Sequence, residues 1–307
     1  MTAALRLTRV GPAATIQDAG RFGMLQHGIS ASGPMDRAAF ARAGRVLGDG
    51  GTSGLEFTAA GLDFCLEGEP VAAAFDGGAF HLRVNGAARD WPAFVPLQPG
   101  DRIEITPGPA GNYGYARFDR EIDVAPVLGS RATNLIAGLG GLAGRSLRAG
   151  DVIPFGARAS ESTPASVPIA QPDKDGTGPT VVRFIWGIHA DLFPASTRRR
   201  FLDATFRIST RLDRMGVRLD DAGAVFAGEP ILSLVSDAIV AGDVQILGDG
   251  TPIVLMRDHQ PTGGYPRIAT ILGVDLNIVA QLRPGSALAF TPVTLQKARL
   301  VSAGSRA

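Results

Sequence analysis

Ile253-Val254-Leu255-Met256-Arg257-Asp258-His259-Gln260-Pro261-Thr262-Gly263-Gly264-Tyr265-Pro266-Arg267-Ile268-Ala269-Thr270-Ile271-Leu272 reads as two short apolar strands joined by a polar loop. Glycine and proline punctuate it, and β-branched and aliphatic residues fill its two runs, which is the grammar of strand, turn and strand. The same grammar runs through the chain in Val71–Phe75, Arg102–Thr106, Val181–Trp186 and Ile231–Val235. Asn85-Gly86 and Asp249-Gly250 supply hairpin turns, so the spacing predicts a mainly β protein of short-stranded barrels or sandwiches.

Two helices interrupt this pattern. Ser32 is placed to cap one with Pro34 in its first turn, after which Met35, Ala38, Ala39, Ala43, Val46 and Leu47 recur at helical spacing until Gly48. The second is expected from about Pro194 to Asp203. Leu97-Gln98-Pro99-Gly100, Leu147-Arg148-Ala149-Gly150 and Leu282-Arg283-Pro284-Gly285 repeat one turn-into-strand signature. Gly68-Glu69-Pro70 and Gly228-Glu229-Pro230 each precede an apolar strand, and together these recurrences suggest two related halves. Between Arg158 and Thr180 the chain turns Ala/Ser/Thr/Pro-rich and then polar, the composition of a linker. The expected division is therefore 1–157, a linker at 158–179, and 180–307.

A chain of 307 residues accommodates two domains, each with its own core. A formal charge of +1 implies no nucleic-acid partner. Lys174 and Lys297 are the only lysines, and neither sits in a Met-Lys-Met setting, so the chain carries no biotin attachment site. Cys65 is the single cysteine, which excludes an internal disulfide or thiolate zinc site and suggests a buried, inert thiol. His27, His81 and His189 have no metal-ligand spacing, so no metal site is expected. No run approaches the roughly 18 to 20 apolar residues of a membrane span, and the amino terminus lacks an apolar signal region, so a cytoplasmic protein with no membrane association is expected.

The polar loop gathers charge, imidazole, amide and phenol around Gly263 and Gly264, where main chain can approach a ligand. The alternative is a tight connection whose polar groups face water. His259 can shuttle a proton near neutral pH and Gln260 can polarise a carbonyl. Asp213 and Arg214 follow the strand expected at Thr205–Ser209; a guanidinium fork grips an anion and a carboxylate accepts an amide N–H, unless the two form a structural salt bridge. Asp18 with Arg21 is a similar pair, and Asp36 and Glu56 add carboxylates, Asp36 serving equally as a helix first-turn acid. Gly138–Ser146 lacks the lysine and the spacing of a phosphate loop and reads as a connection. Arg198-Arg199-Arg200 reads as a solvated helix face.

Three segments together resemble one family. Asp213-Arg214-Met215-Gly216-Val217-Arg218-Leu219 is similar to its Ser-Asp-Arg-Met-Gly-x-Arg-Leu signature, the Thr262-Gly263-Gly264-Tyr265-Pro266 loop to another, and Thr15-Ile16-Gln17-Asp18-Ala19-Gly20-Arg21 with Ser32-Gly33-Pro34-Met35-Asp36 and Leu55-Glu56 to its amino-terminal pattern. This is the biotin-dependent carboxyltransferase family, whose members are also described as allophanate hydrolase subunit 2, the C component of 5-oxoprolinase, or the antagonist of the sporulation-kinase inhibitor. Leu212, Pro261 and His259 depart from its usual serine, threonine and arginine. The resemblance implies tandem cyclophilin-like β-barrel subdomains and a subunit that works with a companion first subunit on a small amide or lactam. ATP-dependent opening of 5-oxoproline to glutamate is the preferred activity, with ATP bound at the level of the complex. Transfer of carboxyl to urea from biotin supplied on another chain is the alternative, and a non-catalytic regulator of a kinase inhibitor is a third. The implied catalytic residues are Asp213, Arg214, His259 and Gln260. The implied substrate-binding residues are Gln17, Asp18, Arg21, Asp36, Glu56, Gly263, Gly264 and Tyr265.

Overall fold

The computed structural model describes residues 2–48, 50–158, 178–228 and 233–304. By internal contacts the chain divides into two compact units, Met1–Gly23 with Ala31–Asp173, and Met24–Ser30 with Lys174–Ala307. The linker expected at 158–179 falls almost wholly outside the described residues.

The first unit holds β1 (Ala4–Val10), β2 (Thr15–Gln17), α1 (Arg37–Val46), β3 (Gly54–Thr58), β4 (Leu62–Glu67), β5 (Val71–Val84), β6 (Ala87–Arg89), β7 (Ala93–Leu97), β8 (Arg102–Phe118), β9 (Arg120–Ile122) and β10 (Val152–Arg158). They form one ten-stranded sheet in the order β2-β3-β8-β4-β1-β10-β9, with β5 pairing β8, β7 and β6. Strand β4 shows why the residues choose this structure. In Leu62-Asp63-Phe64-Cys65-Leu66-Glu67 every second side chain is buried, so the alternating sequence lays one face on the core. Leu62, Phe64 and Leu66 join Leu5, Leu7, Phe57, Phe75, Ile103, Ile105 and Phe118 in that core. Cys65 lies on the other face and is only half-buried, which corrects the expectation of a buried thiol.

The second unit holds β11 (Thr180–Trp186), α2 (Ala195–Asp203), β12 (Phe206–Leu212), β13 (Gly216–Asp220), β14 (Asp237–Ala238), β15 (Asp243–Ile246), β16 (Pro252–Leu255), β17 (Thr262–Gly263), β18 (Arg267–Ile271), α3 (Leu276–Gln281), β19 (Ala287–Pro292) and α4 (Leu295–Gly304). Seven of its strands close a barrel in the order β11-β18-β15-β16-β13-β12-β19, sealed by a parallel pairing of β11 with β19. Phe201 of α2 is fully buried and meets Phe184, Phe206, Phe226 and Phe290, stacking on Phe290 at 4.7 Å. An aromatic cluster of this size supplies a large share of the barrel's apolar burial.

The architecture is mainly β with short helices, as the sequence implies. Three details differ. Helix α1 begins at Arg37, and Asp36 rather than Ser32 caps it, its carboxylate accepting Ala39 N–H at 3.0 Å. Ser32 has φ of 57°, whereas a capping residue needs extended backbone such as the −104° of Asp36. The strand expected from Thr205 is Phe206–Leu212, which brings it directly to Asp213. Of the strand expected at Ile231–Val235, residues 231 and 232 lie outside the described residues and 233–235 are not strand.

The repeated leucine-to-glycine turns have one geometry. Gly100, Gly150 and Gly285 have φ of 92°, 91° and 84°, the left-handed conformation that the third position of a type II turn demands. Each glycine donates its N–H to a strand carbonyl, of Leu66, Leu7 and Ile208 respectively, at 2.7 to 2.8 Å. The residue after it returns the bond, its carbonyl accepting the N–H of the same strand residue at 2.9 to 3.0 Å. The signature is thus a clip that docks a turn onto a neighbouring strand, used in both units.

Candidate functional site

In the second unit β12 and β13 are joined by the turn holding Asp213 and Arg214, and β16 ends beside it because β13 and β16 pair from Gly216↔Leu255. The chain leaving β16 is tied to that turn by backbone bonds, Asp258 N–H to Arg214 O at 2.7 Å and Met256 N–H to Met215 O at 2.8 Å. This brings Arg214 against Asp258. The guanidinium fills its fork with that carboxylate, Nε to Oδ2 at 2.8 Å and Nη2 to Oδ1 at 3.0 Å, and both side chains are buried. Asp213 is exposed and folds its carboxylate onto its own turn, accepting the N–H of Met215 at 2.7 Å and of Gly216 at 3.1 Å.

His259 follows at once and is buried, with 7% of its surface exposed. Its Nδ1 lies 2.7 Å from the carbonyl oxygen of Gln260. A carbonyl only accepts, so Nδ1 carries the proton and Nε2 the lone pair. Burial, the largest influence, lowers the imidazole pKa below its ordinary 6.5, against the opposing pull of the Gln260 carbonyl, Asp243 and Asp258. The group is therefore a neutral base at physiological pH.

From Gln260 the loop folds over β14. Gly263 pairs with Asp237, and the carbonyls of Pro261 and Gly264 accept from Ile239 and Leu234. Gly263 packs closely here, since a Cβ there would stand 2.5 Å from Nε2 of Gln245 and would displace that amide. Gln245, buried in β15, donates weakly to Tyr265 O at 3.4 Å. Tyr265 itself is 40% exposed. Beneath the loop Arg267 bonds Asp237 at 2.5 Å, the Ala238 carbonyl at 2.7 Å and Asp243 at 3.3 Å. Arg267, Gln245, Asp237 and Asp243 are not among the residues that the sequence singles out. The signal it does carry is the polar pair Asp243 and Gln245 in the short strand Asp243-Val244-Gln245-Ile246, where burying a polar side chain costs free energy unless it is hydrogen-bonded.

The other five sequence candidates lie in the first unit and fall into two groups. Arg21, 1% exposed, donates to the carbonyls of Val127, Ser130 and Ala132, while Asp18 accepts from Ser130 Oγ at 2.6 Å and Arg131 N at 2.6 Å. Gln17 joins them, its Nε2 donating to Thr15 Oγ1 and the Thr133 carbonyl; its buried Oε1 has no hydrogen-bond partner among the described residues. Asp36 and Glu56 form the second group at the start of α1. Glu56 accepts Met35 N–H at 2.7 Å, and Asp36 N–H donates to the Tyr115 hydroxyl at 2.7 Å. Burial, with the nearby Glu56 and Asp36 charges, pushes the Tyr115 phenol well above its ordinary value, so it stays protonated. Arg117 closes this region by donating to the carbonyls of Ser53, Phe40 and Gly51, its guanidinium 4.1 Å from the Phe40 ring centre. With no carboxylate in that set, burial lowers its pKa to about 10.

The glycine-rich segment is a connection, as its sequence suggests. Gly140 lies against the Ala132 carbonyl and Gly141 against Thr133, and the chain continues into β10 rather than a helix. Arg198 pairs with exposed Asp191, and the Arg198–Arg200 face is largely solvated. Among the described residues no helix is long and apolar enough to cross a membrane, and no three His, Cys, Asp or Glu side chains assemble as a metal site.

Residues 27–292 match the carboxyltransferase domain, subdomain A and B. The C component of the Escherichia coli (strain K12) 5-oxoprolinase is 33% identical, the match covering 96% of this chain and 93% of that one. Urea amidolyase of Lachancea kluyveri is 29% identical over 96% of this chain but only 17% of its own length. The crystal structure of Kluyveromyces lactis urea carboxylase superposes with a TM-score of 0.89 over 99% of this chain and 29% of that one, at 24% identity, a likeness of fold.

Proposed function

The chain belongs to the carboxyltransferase domain family, subdomain A and B, and from that premise we propose that it is one subunit of an ATP-dependent 5-oxoprolinase, which opens the lactam of 5-oxoproline to glutamate with a separate first subunit. The observation that carries this reading is the match to the C component of the Escherichia coli 5-oxoprolinase, which runs through nearly the whole of both chains at 33% identity. A second reading, carboxyl transfer to urea from biotin held on another chain, draws support from the urea amidolyase relatives.

Both readings need a site that handles a planar amide, and we assign it to the corner at Arg257–Tyr265. His259 offers a neutral imidazole whose Nε2 accepts a proton, from attacking water in lactam opening or from a urea N–H in carboxyl transfer. Gln260 carries an amide able to donate to a carbonyl and accept from an N–H. Arg214 is a positioning residue in this scheme, because its fork is filled by Asp258 and the pair holds the turn on which His259 sits. Gly263, packed on Gln245, keeps the loop close to the barrel, and Tyr265 is exposed at its far side. In the first unit Asp18, Arg21, Asp36 and Glu56 act as a framework through their bonds to backbone, while the buried Oε1 of Gln17 remains an acceptor for an amide hydrogen or an ordered water.

The segment 138–146 does not fit a nucleotide's phosphates, because Gly140 and Gly141 are pressed against Ala132 and Thr133 and Gly144 against the Gly138 carbonyl, so ATP is assigned to the assembly. A cytoplasmic location belongs to the same proposal.

The test is reconstitution with the companion first subunit. ATP-dependent release of glutamate from 5-oxoproline is expected from the pair and none from this chain alone. Turnover by the isolated chain would overturn the two-part reading. Carboxylation of urea by the pair, with a biotin-carrying protein and without glutamate release, would select the second.

A further inference from the structure

The polar layer beneath the candidate loop includes a second histidine, which the proposed chemistry does not use. His189 directly precedes the single helical turn Ala190–Leu192, and its side chain is 20% exposed, so water reaches it. Its Nδ1 lies 3.3 Å from the backbone nitrogen of Arg267, the first residue of β18. A backbone N–H only donates, so Nδ1 holds the lone pair and the proton of the neutral ring sits on Nε2. That Nε2 stands 4.0 Å from Asp237 Oδ2, too far for a hydrogen bond.

Arg267 is where the loop is fastened. Its guanidinium bonds Asp237, the Ala238 carbonyl and Asp243, and so ties β14 to the barrel strand β15. Strand β14 in turn carries the loop, Asp237 pairing with Gly263 and Ala238 with Thr262. On either side of these pairs Leu234 N–H donates to the Gly264 carbonyl at 2.7 Å and Ile239 N–H to the Pro261 carbonyl at 3.2 Å. His189 therefore faces this fastening twice, at the main chain of Arg267 and at the carboxylate of Asp237.

We propose that His189 is a positioning residue for the candidate site, and that its neutral ring holds the loop on the barrel while protonation releases it. A proton on Nδ1 sets two N–H groups against each other, and the bond from Arg267 is lost. The charged ring then turns to Asp237 Oδ2, the oxygen that Arg267 Nη2 holds at 2.5 Å, and competes for it. Asp237 and Arg267 are the charged groups that face the ring directly. Asp243 acts through Arg267, and Asp191, on the helical turn itself, is exposed and paired with Arg198. Acid therefore loosens β14 and, with it, the loop from Gln260 to Tyr265. The role in turnover rests on the amide-processing reading, whereas the latch does not, and its test needs no substrate.

The test is residue-resolved amide hydrogen exchange of the full chain at about pH 7.5 and about pH 5.5, on either side of the ordinary imidazole value, with each rate divided by its intrinsic rate. On going to the lower pH, protection of the Leu234 and Ile239 amides should fall roughly three- to tenfold more than that of β12 and β13 amides, the weight of one hydrogen bond. His189→Asn sets an uncharged acceptor near the place of Nδ1 and should abolish this extra fall. His189→Gln is a second uncharged acceptor for use if the Asn variant does not fold. His189→Phe, with no acceptor, should show the low protection at both pH values. The contrast between parent and His189→Asn should persist when both also carry His259→Gln, which separates this ring from the one in the candidate site. An equal fall in the parent and the Asn or Gln variant, or parental protection at pH 7.5 in His189→Phe, would overturn the proposal. Inactivity of the reconstituted pair with the exchange behaviour intact would count against the amide-processing reading alone.

Discussion

Replacing Arg214 by Lys separates a guanidinium that positions from one that grips substrate. The fork makes two charge-assisted bonds to Asp258, at 2.8 and 3.0 Å, with side chains 5% and 1% exposed. Lysine keeps the charge but presents a single ammonium to one oxygen, so one bond is lost at a buried pair, costing about 1.5–3 kcal/mol. For a unit of this size each kcal/mol is worth about 3–5 °C, so the melting temperature should fall by roughly 5 to 15 °C. Asp258→Asn is harsher, because it leaves a buried cation uncompensated at a cost of about 3–5 kcal/mol. The assay is thermal unfolding by calorimetry alongside turnover of the reconstituted pair, normalised to folded protein. If Arg214→Lys melts like the parent while turnover per folded molecule falls tenfold, a loss of about 1.4 kcal/mol from the transition state, the guanidinium serves the substrate and the positioning role is refuted.

Other consequences can be measured on the isolated chain. The unfolded chain takes up the His259 proton near pH 6.5 and the folded one only at lower pH, so this residue's contribution to stability is complete above 6.5 and drains away as pH falls through the window below it. Unfolding by urea between pH 7 and 5 should therefore show a shallower pH dependence in His259→Gln, and an unchanged slope would mean the imidazole is not held neutral. Gly263→Ala places a methyl 2.5 Å from Gln245 Nε2 and 3.2 Å from Ile239 Cδ1, which should lower stability by about 1–3 kcal/mol; an unchanged urea midpoint would mean that the loop is not packed on β15. Gly285→Ala meets no atom within 4 Å, yet φ is 84°, so its loss of about 1–2 kcal/mol should come from the backbone alone, and a neutral result would show that the clip relaxes.

Alternation and turn chemistry are local, and the sequence declares them openly. Leu62–Glu67 discloses its buried face by parity, and the leucine-to-glycine turns show their left-handed glycine by type. What sequence does not disclose is decided by distant partners. Ser32 and Asp36 are both good caps, and the choice falls to Asp36 because Met35 and Asp36 are held by Glu56 and Tyr115, 21 and 79 positions away. The candidate site follows the same rule. That His259 and Arg214 belong to one corner follows from two strands ending in polar loops, but that the fork of Arg214 is occupied depends on Asp258, 44 residues on, whose oxygens could equally have faced solvent. Asp18 and Arg21 have the composition of a binding pair, and only the path of residues 127–132 around them reveals carbonyls and N–H groups as their partners.

The parallel seam between β11 and β19, from Thr180↔Leu288 to Phe184↔Pro292, joins the first barrel strand to the last, while every other pairing in the barrel is antiparallel. A chain emerging from the ribosome cannot complete the cylinder until Pro292 has been made, and until then β11 waits with an open edge that another strand can occupy. Because the seam is parallel, β11 starts at one rim and β19 finishes at the other. Rejoining them head to tail in a circular permutant would require a connector as long as the barrel wall, about 20 Å for the six residues of β19.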